Sequence, residues 1–209
     1  MSWPLRLVGA VHGRMVHQRR AEVLAENFAE IVPRGNTVLD VGCGDGHIAR
    51  LLHDRRPDLR VCGVDPLRRE HTQVEVLPFD GSRLPFADRS WDTVLLCDVL
   101  HHADRPVNLM LEAARVAKHT IVIKDHSVEG PLARITLKAM DVVGNGPHGV
   151  ALPFNYMTPA EWRDAYRATG LEIREIRREL KLYPPWLDLF LGRSLHFVAR
   201  FEIRRDARF

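Results

Sequence analysis

The chain has 209 residues, 45% of them hydrophobic and 27% charged, with a formal net charge of +3. That length suits one well-cored domain, and the balance excludes a disordered chain or a disulfide scaffold. No apolar run reaches the roughly 18–20 residues that cross a bilayer, and the first stretch, broken by Pro4 and Arg6, lacks a secretory layout, so no membrane span and a cytosolic location are expected. Cys43, Cys62 and Cys97 are odd in number, far apart and set in apolar or glycine-rich runs, which reads as buried, reduced thiols. The basic residues are scattered among acids with only short clusters such as Arg19-Arg20 and Arg68-Arg69, a distribution that disfavours nucleic acid as a partner. No oligomeric state follows from this pattern.

In chain order, Val16, Leu24, Phe28 and Ile31 fall on one helical face, and Pro33 to Asn36 then breaks it, so residues 16–31 form a helix within an N-terminal cap of residues 1–35. Residues 37–41 are a short apolar strand ending in glycines, and residues 47–54 follow as a helix with Ile48, Leu51 and Leu52 inward. Strands are expected at 59–64, 74–77, 91–97 and 120–123, with a helix at 107–117. Such alternation implies an α/β, doubly wound, mostly parallel sheet.

After Ile123 the alternation stops. Residues 129–157 read as an insertion whose amphipathic stretch gathers Leu132, Ile135, Ala139, Met140 and Val143, an apolar face suited to a lid that closes on an apolar acceptor, ended by Gly144-Asn145-Gly146-Pro147. Thr158-Pro159-Ala160-Glu161 carries an N-cap, a first-turn proline and an early acid, and starts a helix ending at Gly170. Strands at 171–178 and 194–203 are joined by a segment too short for a crossover helix and should pair antiparallel. The whole of 1–209 is read as one domain, its acceptor site roofed by the N-terminal helix and the insertion.

The chemistry begins at Val38-Leu39-Asp40-Val41-Gly42-Cys43-Gly44-Asp45-Gly46. Three alternate glycines between a strand and its helix allow positive φ and let a ligand approach the backbone. A dinucleotide fingerprint needs glycine at position 47, where this chain has His47, so nicotinamide cofactors are disfavoured. Asp65 closes the second strand 19 residues after Gly46, where a carboxylate can accept from both hydroxyls of a ribose.

These residues, with Gly63-Val64-Asp65, Phe79-Asp80-Gly81, Leu84-Pro85-Phe86 and Trp91-Asp92-Thr93-Val94 running into Asp98-Val99-Leu100-His101-His102, form an ordered set over residues 36–125. The set resembles the class I S-adenosylmethionine-dependent methyltransferases, in particular their small-molecule, type 11-like branch. The resemblance implies a Rossmann-like, seven-stranded sheet with an antiparallel C-terminal strand, S-adenosylmethionine as cofactor and S-adenosylhomocysteine as product. It implies that Gly42, Cys43, Gly44 and Gly46 line the methionine and ribose, that Asp40 fixes the turn and meets the amino group, and that Asp65 holds the ribose. Asp80, with Gly81, would meet the adenine amine, and the loop from Cys97 and Asp98 to His101 would lie beside the sulfonium. Pro66 stands where the family often has a larger apolar residue packing on adenine, and residues 66–72 are too short and charged for a full crossover helix.

Methyl transfer from a sulfonium is an in-line displacement that depends mainly on alignment. For a hydroxyl acceptor a neutral histidine is the natural base, and His101, His102 and His126, all after C-terminal strand ends, are the candidates. His148 and Tyr156, in the insertion, rank below them. No metal is expected, because Asp98, His101 and His102 have no second acid at ligand spacing. The sequence is therefore read as an enzyme methylating a small molecule at O, N or C. The alternatives are an RNA or protein methyltransferase and a non-catalytic module that binds S-adenosylmethionine.

Overall fold

The computed structural model describes residues 3–35, 37–67, 69–145, 152–191 and 195–204. Helix α1 (Trp3–Ile31) leads into strand β1 (Thr37–Val41), α2 (His47–Arg55), β2 (Arg60–Asp65), β3 (Val76–Pro78) and β4 (Trp91–Cys97). A single 3-10 turn at Leu100–His102 precedes α3 (Pro106–Val116) and β5 (Ala117–His126). Then come α4 (Ala133–Asn145), α5 (Pro159–Ala168), β6 (Leu171–Arg177), α6 (Pro185–Leu191) and β7 (His196–Ile203). The seven strands form one sheet in the order β3-β2-β1-β4-β5-β7-β6, parallel except for β7, which runs antiparallel to both β5 and β6. The fold is thus the Rossmann-like doubly wound sheet that the alternation of elements implies.

Strand side chains alternate between faces, and this parity sorts the core. Val38, Leu95, Val122 and Val198 pack against Leu24, Phe28 and Ile31 of α1. On the other face Val94, Leu96, Ile121, Ile123 and Phe197 pack against α3 and α5 through Met110, Ala114 and Trp162. The capping box at the start of α5 is complete, with the Thr158 hydroxyl accepting from the Glu161 backbone and the Glu161 carboxylate accepting from the Thr158 N–H at 2.7 Å.

Three expectations change. The first helix begins at Trp3, about four turns before its periodic apolar face. The β6–β7 connection, though antiparallel as its length requires, holds the short helix α6. Helix α4 is turned the other way: Ala133, Leu137 and Asp141 are buried while Leu132, Ile135 and Val143 are exposed. Apolar residues occupy both sides of α4, so periodicity alone does not choose the buried one. The choice follows from Asp141, whose carboxylate accepts the Tyr156 hydroxyl in the interior. Gly146, Pro147, His148 and Gly149 lie outside the described residues.

Candidate active site

The glycine turn sits at the C-terminal end of β1. Gly42 and Cys43 N–H both donate to the Val64 carbonyl, at 2.8 and 3.2 Å, so the chain leaves β1 stitched to β2. Gly42, Gly44 and Gly46 have φ of 73°, 60° and 78°. The three do different things. A Cβ on Gly42 would lie 2.4 Å from Val99 Cγ2, and one on Gly46 would lie 2.6 Å from Val74 Cγ2, so these two are fixed by packing. A Cβ on Gly44 would meet nothing within 4 Å, which leaves its backbone face open to a ligand.

Two carboxylates face this turn. Asp65 Oδ2 accepts from Gly44 N–H at 2.8 Å and Oδ1 from Leu67 N–H at 2.8 Å, so Asp65 shapes both loops. Asp40 is buried and its Oδ1 has no hydrogen-bond partner among the described residues. Burial, and secondarily the charge of Asp65, push its carboxyl up to about 7. A buried oxygen without a donor is costly, and a cationic or N–H-bearing ligand would relieve that cost. Asp80 is exposed after β3, where Oδ1 accepts from Ser82 and Arg83 N–H at 2.8 and 2.7 Å and closes the turn at Gly81, whose φ is 82°. Pro66 is exposed beside Asp65, and the Cys43 side chain is half-buried where a Cβ on Gly63 would meet its Sγ at 2.3 Å.

Val99, which touches Gly42, also joins this cradle to a buried ionic cluster at the ends of β4 and β5. Asp98, at the left-handed φ of 53°, accepts from Arg20 of α1 and from Lys124 of β5. Burial opposes the charge of Asp98, but Arg20 and Lys124 outweigh it and hold the carboxyl well below its usual range. Lys124 is fully buried, with Nζ 3.4 Å from His196 Nδ1, and burial lowers its pKa despite Asp98. Burial also keeps the half-buried Cys97 thiol well above its usual value.

The histidines divide. His101 Nδ1 lies 2.6 Å from Asp125 Oδ1, and Nε2 lies 3.5 Å from Asp141 Oδ1. Burial works against the imidazolium, yet Asp125 first and then Asp141 and Asp98 overcome it and raise the pKa to about 10. At neutral pH His101 is a cation and has no lone pair to take a proton. His126 has Nδ1 3.3 Å from Asp125 Oδ1 and 3.7 Å from Asp98 Oδ1. Burial and the charge of Lys124 lower its pKa to about 4, so it is neutral. With Nδ1–H turned to these carboxylates, the lone pair is on Nε2. The His101, His126 and Tyr156 rings are mutual neighbours, with centroids 4.6, 5.5 and 5.9 Å apart, and His102 is half-buried with its ring 4.1 Å from His101.

Asp98, His101, Asp125 and His126 offer ligand atoms within 4.8 Å of one another, a spacing a metal ion could use. The protein's own cations already occupy those carboxylates: Arg20 and Lys124 on Asp98, and the His101 imidazolium on Asp125. A divalent ion would have to displace them, so the arrangement fits charge pairing within the chain better than metal ligation.

No local pattern in the sequence singles out Arg20, Lys124, Asp125, Asp141 or His196. The signal at Lys124-Asp125-His126 is the burial of the strand, because three ionisable residues ending a buried central strand must find partners.

Residues 15–176 match the family model described as a methyltransferase domain. The chain belongs to that family. Within it the chain groups with the class I, S-adenosylmethionine-dependent methyltransferases. The bifunctional methionine biosynthesis protein MetXA/MetW of Rhodopirellula baltica is 32% identical over 111 residues, 46% of this chain and 18% of that protein. The tRNA U34 carboxymethyltransferase of Shewanella baltica is 36% identical over 93 residues, 38% of this chain and 27% of that protein. The chain thus spans less than half the length of these curated relatives. Among solved structures, a SAM-dependent methyltransferase of Thermotoga maritima shares the fold with a TM-score of 0.66 at 19% identity, covering 95% of this chain and 96% of that one. The 1,6-didemethyltoxoflavin-N1-methyltransferase of Burkholderia thailandensis, solved with 1,6-didemethyltoxoflavin and S-adenosylhomocysteine, gives 0.64 at 18% identity, covering 95% and 85%.

Proposed function

We propose that this methyltransferase domain, residues 1–209 acting as one unit, moves a methyl group from S-adenosylmethionine to a small-molecule acceptor. When bound, S-adenosylmethionine supplies an electrophilic methyl on a sulfonium. The open backbone at Gly44, with Gly42, Cys43 and Gly46 around it, would receive the methionine and ribose portions. Asp65 would accept from the ribose, and the unpartnered Asp40 oxygen would take the amino group. Pro66, Asp80 and Gly81, at the ends of the neighbouring strands, would flank the adenine. Cys97 and Asp98 would face the sulfonium end, where Asp98, held by Arg20 and Lys124, fixes the course of the loop.

The observation carrying the acceptor reading is the roof over the strand ends. Tyr156 donates to Asp141 of α4, Asp141 lies against His101, and Asn155 donates to the His101 carbonyl at 3.2 Å and, through Nδ2, to the Ala103 carbonyl at 2.8 Å. A roof tied down on both sides favours a small acceptor over a polymer. The tRNA-acting relative matches only 38% of this chain. For a hydroxyl acceptor, His126 Nε2 is the proton acceptor, while His101 holds Asp125 and Asp141 in place and His102 lines the same wall.

The test is release of S-adenosylhomocysteine over a panel of small hydroxyl, amine and carbon acceptors, with tRNA and a protein mixture as competing arms. Turnover on a small acceptor, reduced about 10²–10⁴-fold in His126→Gln with unchanged S-adenosylhomocysteine affinity, is expected of a lost general base. Turnover confined to tRNA or protein would refute the small-molecule reading. Tight S-adenosylmethionine binding with no turnover in any arm would favour the binding-module alternative.

A further inference from the structure

Asp40 is 2% exposed near the end of β1, where the parallel register places it between Gly63 of β2 and Leu95 of β4. Neither neighbour has a side chain that can donate a hydrogen bond. The donors of the glycine turn are committed elsewhere. Gly42 and Cys43 N–H go to the Val64 carbonyl, Gly44 N–H to Asp65 and Gly46 N–H to the Cys43 carbonyl. Asp40 Oδ1 is therefore buried and without a donor among the described residues.

The surrounding charges do not compensate. Asp65, at the end of β2, is the charged group that acts on Asp40, and it repels a second anion. The Cys43 thiol of the turn and the Cys97 thiol at the end of β4 also face Asp40, and burial holds both well above their usual value, so they stay neutral. Arg20 of α1 and Lys124 of β5 are paired with Asp98. A carboxylate at this position would be desolvated, unpaired and beside another acid, whereas the protonated acid avoids the penalty on charge. Burial first, and Asp65 second, accordingly push the Asp40 carboxyl from its usual 3.8 up to about 7.

Resting on the reading that S-adenosylmethionine sets its amino group at Asp40, we propose that Asp40 holds a proton in the empty protein and releases it to solvent when the cofactor's ammonium group docks. The ammonium supplies both the missing donor and the missing countercharge, so the carboxyl ionises well below neutral pH in the complex. Linkage then requires binding to tighten as pH rises toward the carboxyl's value in the empty protein, and to level off above it. S-adenosylmethionine and S-adenosylhomocysteine carry the same amino-acid portion and are affected alike. The coupling acts on capture of the cofactor, and the rate of transfer at saturating cofactor is untouched.

The experiment is calorimetry of the full chain with S-adenosylhomocysteine between pH 6 and pH 8, in pairs of buffers that differ in ionisation enthalpy, so that the heat counts the protons released. A carboxyl titrating at about 7 gives about 0.9 proton released at pH 6 and about 0.1 at pH 8, with affinity about tenfold weaker at the lower pH. Methylthioadenosine, which lacks the amino-acid portion, should bind with no proton release and no pH dependence over this range. Asp40→Asn, with wild-type circular dichroism, should bind S-adenosylhomocysteine more weakly and lose the pH dependence. The first two measurements use the wild type alone and decide the matter if the variant does not fold. S-adenosylhomocysteine binding without proton release, the same pH dependence with methylthioadenosine, or an unchanged pH dependence in Asp40→Asn would overturn the proposal and leave the cofactor reading standing. Failure of S-adenosylhomocysteine to bind at any pH would remove the cofactor reading and the proposal with it.

Discussion

Asp125→Asn probes the reasoning about the buried ionic cluster most directly. Asp125 Oδ1 receives the His101 ring at 2.6 Å and the His126 N–H at 2.7 Å, and Oδ2 receives the Leu100 N–H at 3.2 Å. The His101 pKa rises from 6.5 to about 10, and at 1.36 kcal/mol per unit that corresponds to roughly 5 kcal/mol of net stabilisation of the imidazolium. Asp125 is the leading favourable contributor, opposed by burial. The depressed pKa of Asp125 describes the same contact from the other side and is not added to it. Asparagine keeps the shape, removes the charge and turns an amide toward either His101 or Leu100. The expected loss is about 3–5 kcal/mol, the usual cost of breaking a buried pair, or a fall in Tm of the order of 10 °C for a chain of this size. Because the folded pKa of His101 is raised, its contribution is fully present below about pH 6.5 and disappears as pH rises through about 10. The gap between wild type and variant should therefore narrow progressively from about pH 6.5 and be nearly closed by about pH 10. Thermal denaturation across pH, with the His101 ring titrated by NMR, measures both quantities. A variant within about 2 °C of wild type at pH 7, or a wild-type His101 titrating near 6.5, would refute the assignment.

Gly44→Ala and Gly42→Ala should separate ligand space from packing. The first adds a methyl in open space at φ 60°, so S-adenosylhomocysteine affinity should fall at least tenfold while stability drops only about 1–2 kcal/mol; the second drives a Cβ into Val99 and should chiefly lower Tm. Equal affinity in Gly44→Ala by calorimetry would place the cofactor elsewhere. Asp65→Ala should weaken S-adenosylhomocysteine by about 1.5–3 kcal/mol and, because its two oxygens hold Gly44 and Leu67, also lower stability by about 1–3 kcal/mol. If His126 is the base, kcat should be flat from about pH 6 to pH 9 and fall only toward pH 4 as His126 protonates. An acid limb centred near pH 6.5 would instead point to a solvated histidine.

Much of this protein is written locally in its sequence. The strand, glycine turn and helix at residues 37–55 are legible because positive φ and close backbone approach need glycine at particular positions, and Asp65 follows because the second parallel strand must end beside that turn. The antiparallel β7 is legible too, since its connection from β6 is too short for a crossover. What the sequence leaves open is set by contacts between distant segments. Arg20 meets Asp98 from 78 residues away, and His101 meets Asp125 across 24. Only those meetings decide that His101 carries the proton and His126 the lone pair, because the charge state of a buried group depends on which opposite charge the fold places beside it. The same is true of α4. Two apolar sides compete for the core, and the pairing of Asp141 with Tyr156 and its approach to His101 decide which one is buried, leaving the stripe of Leu132, Ile135 and Val143 outside.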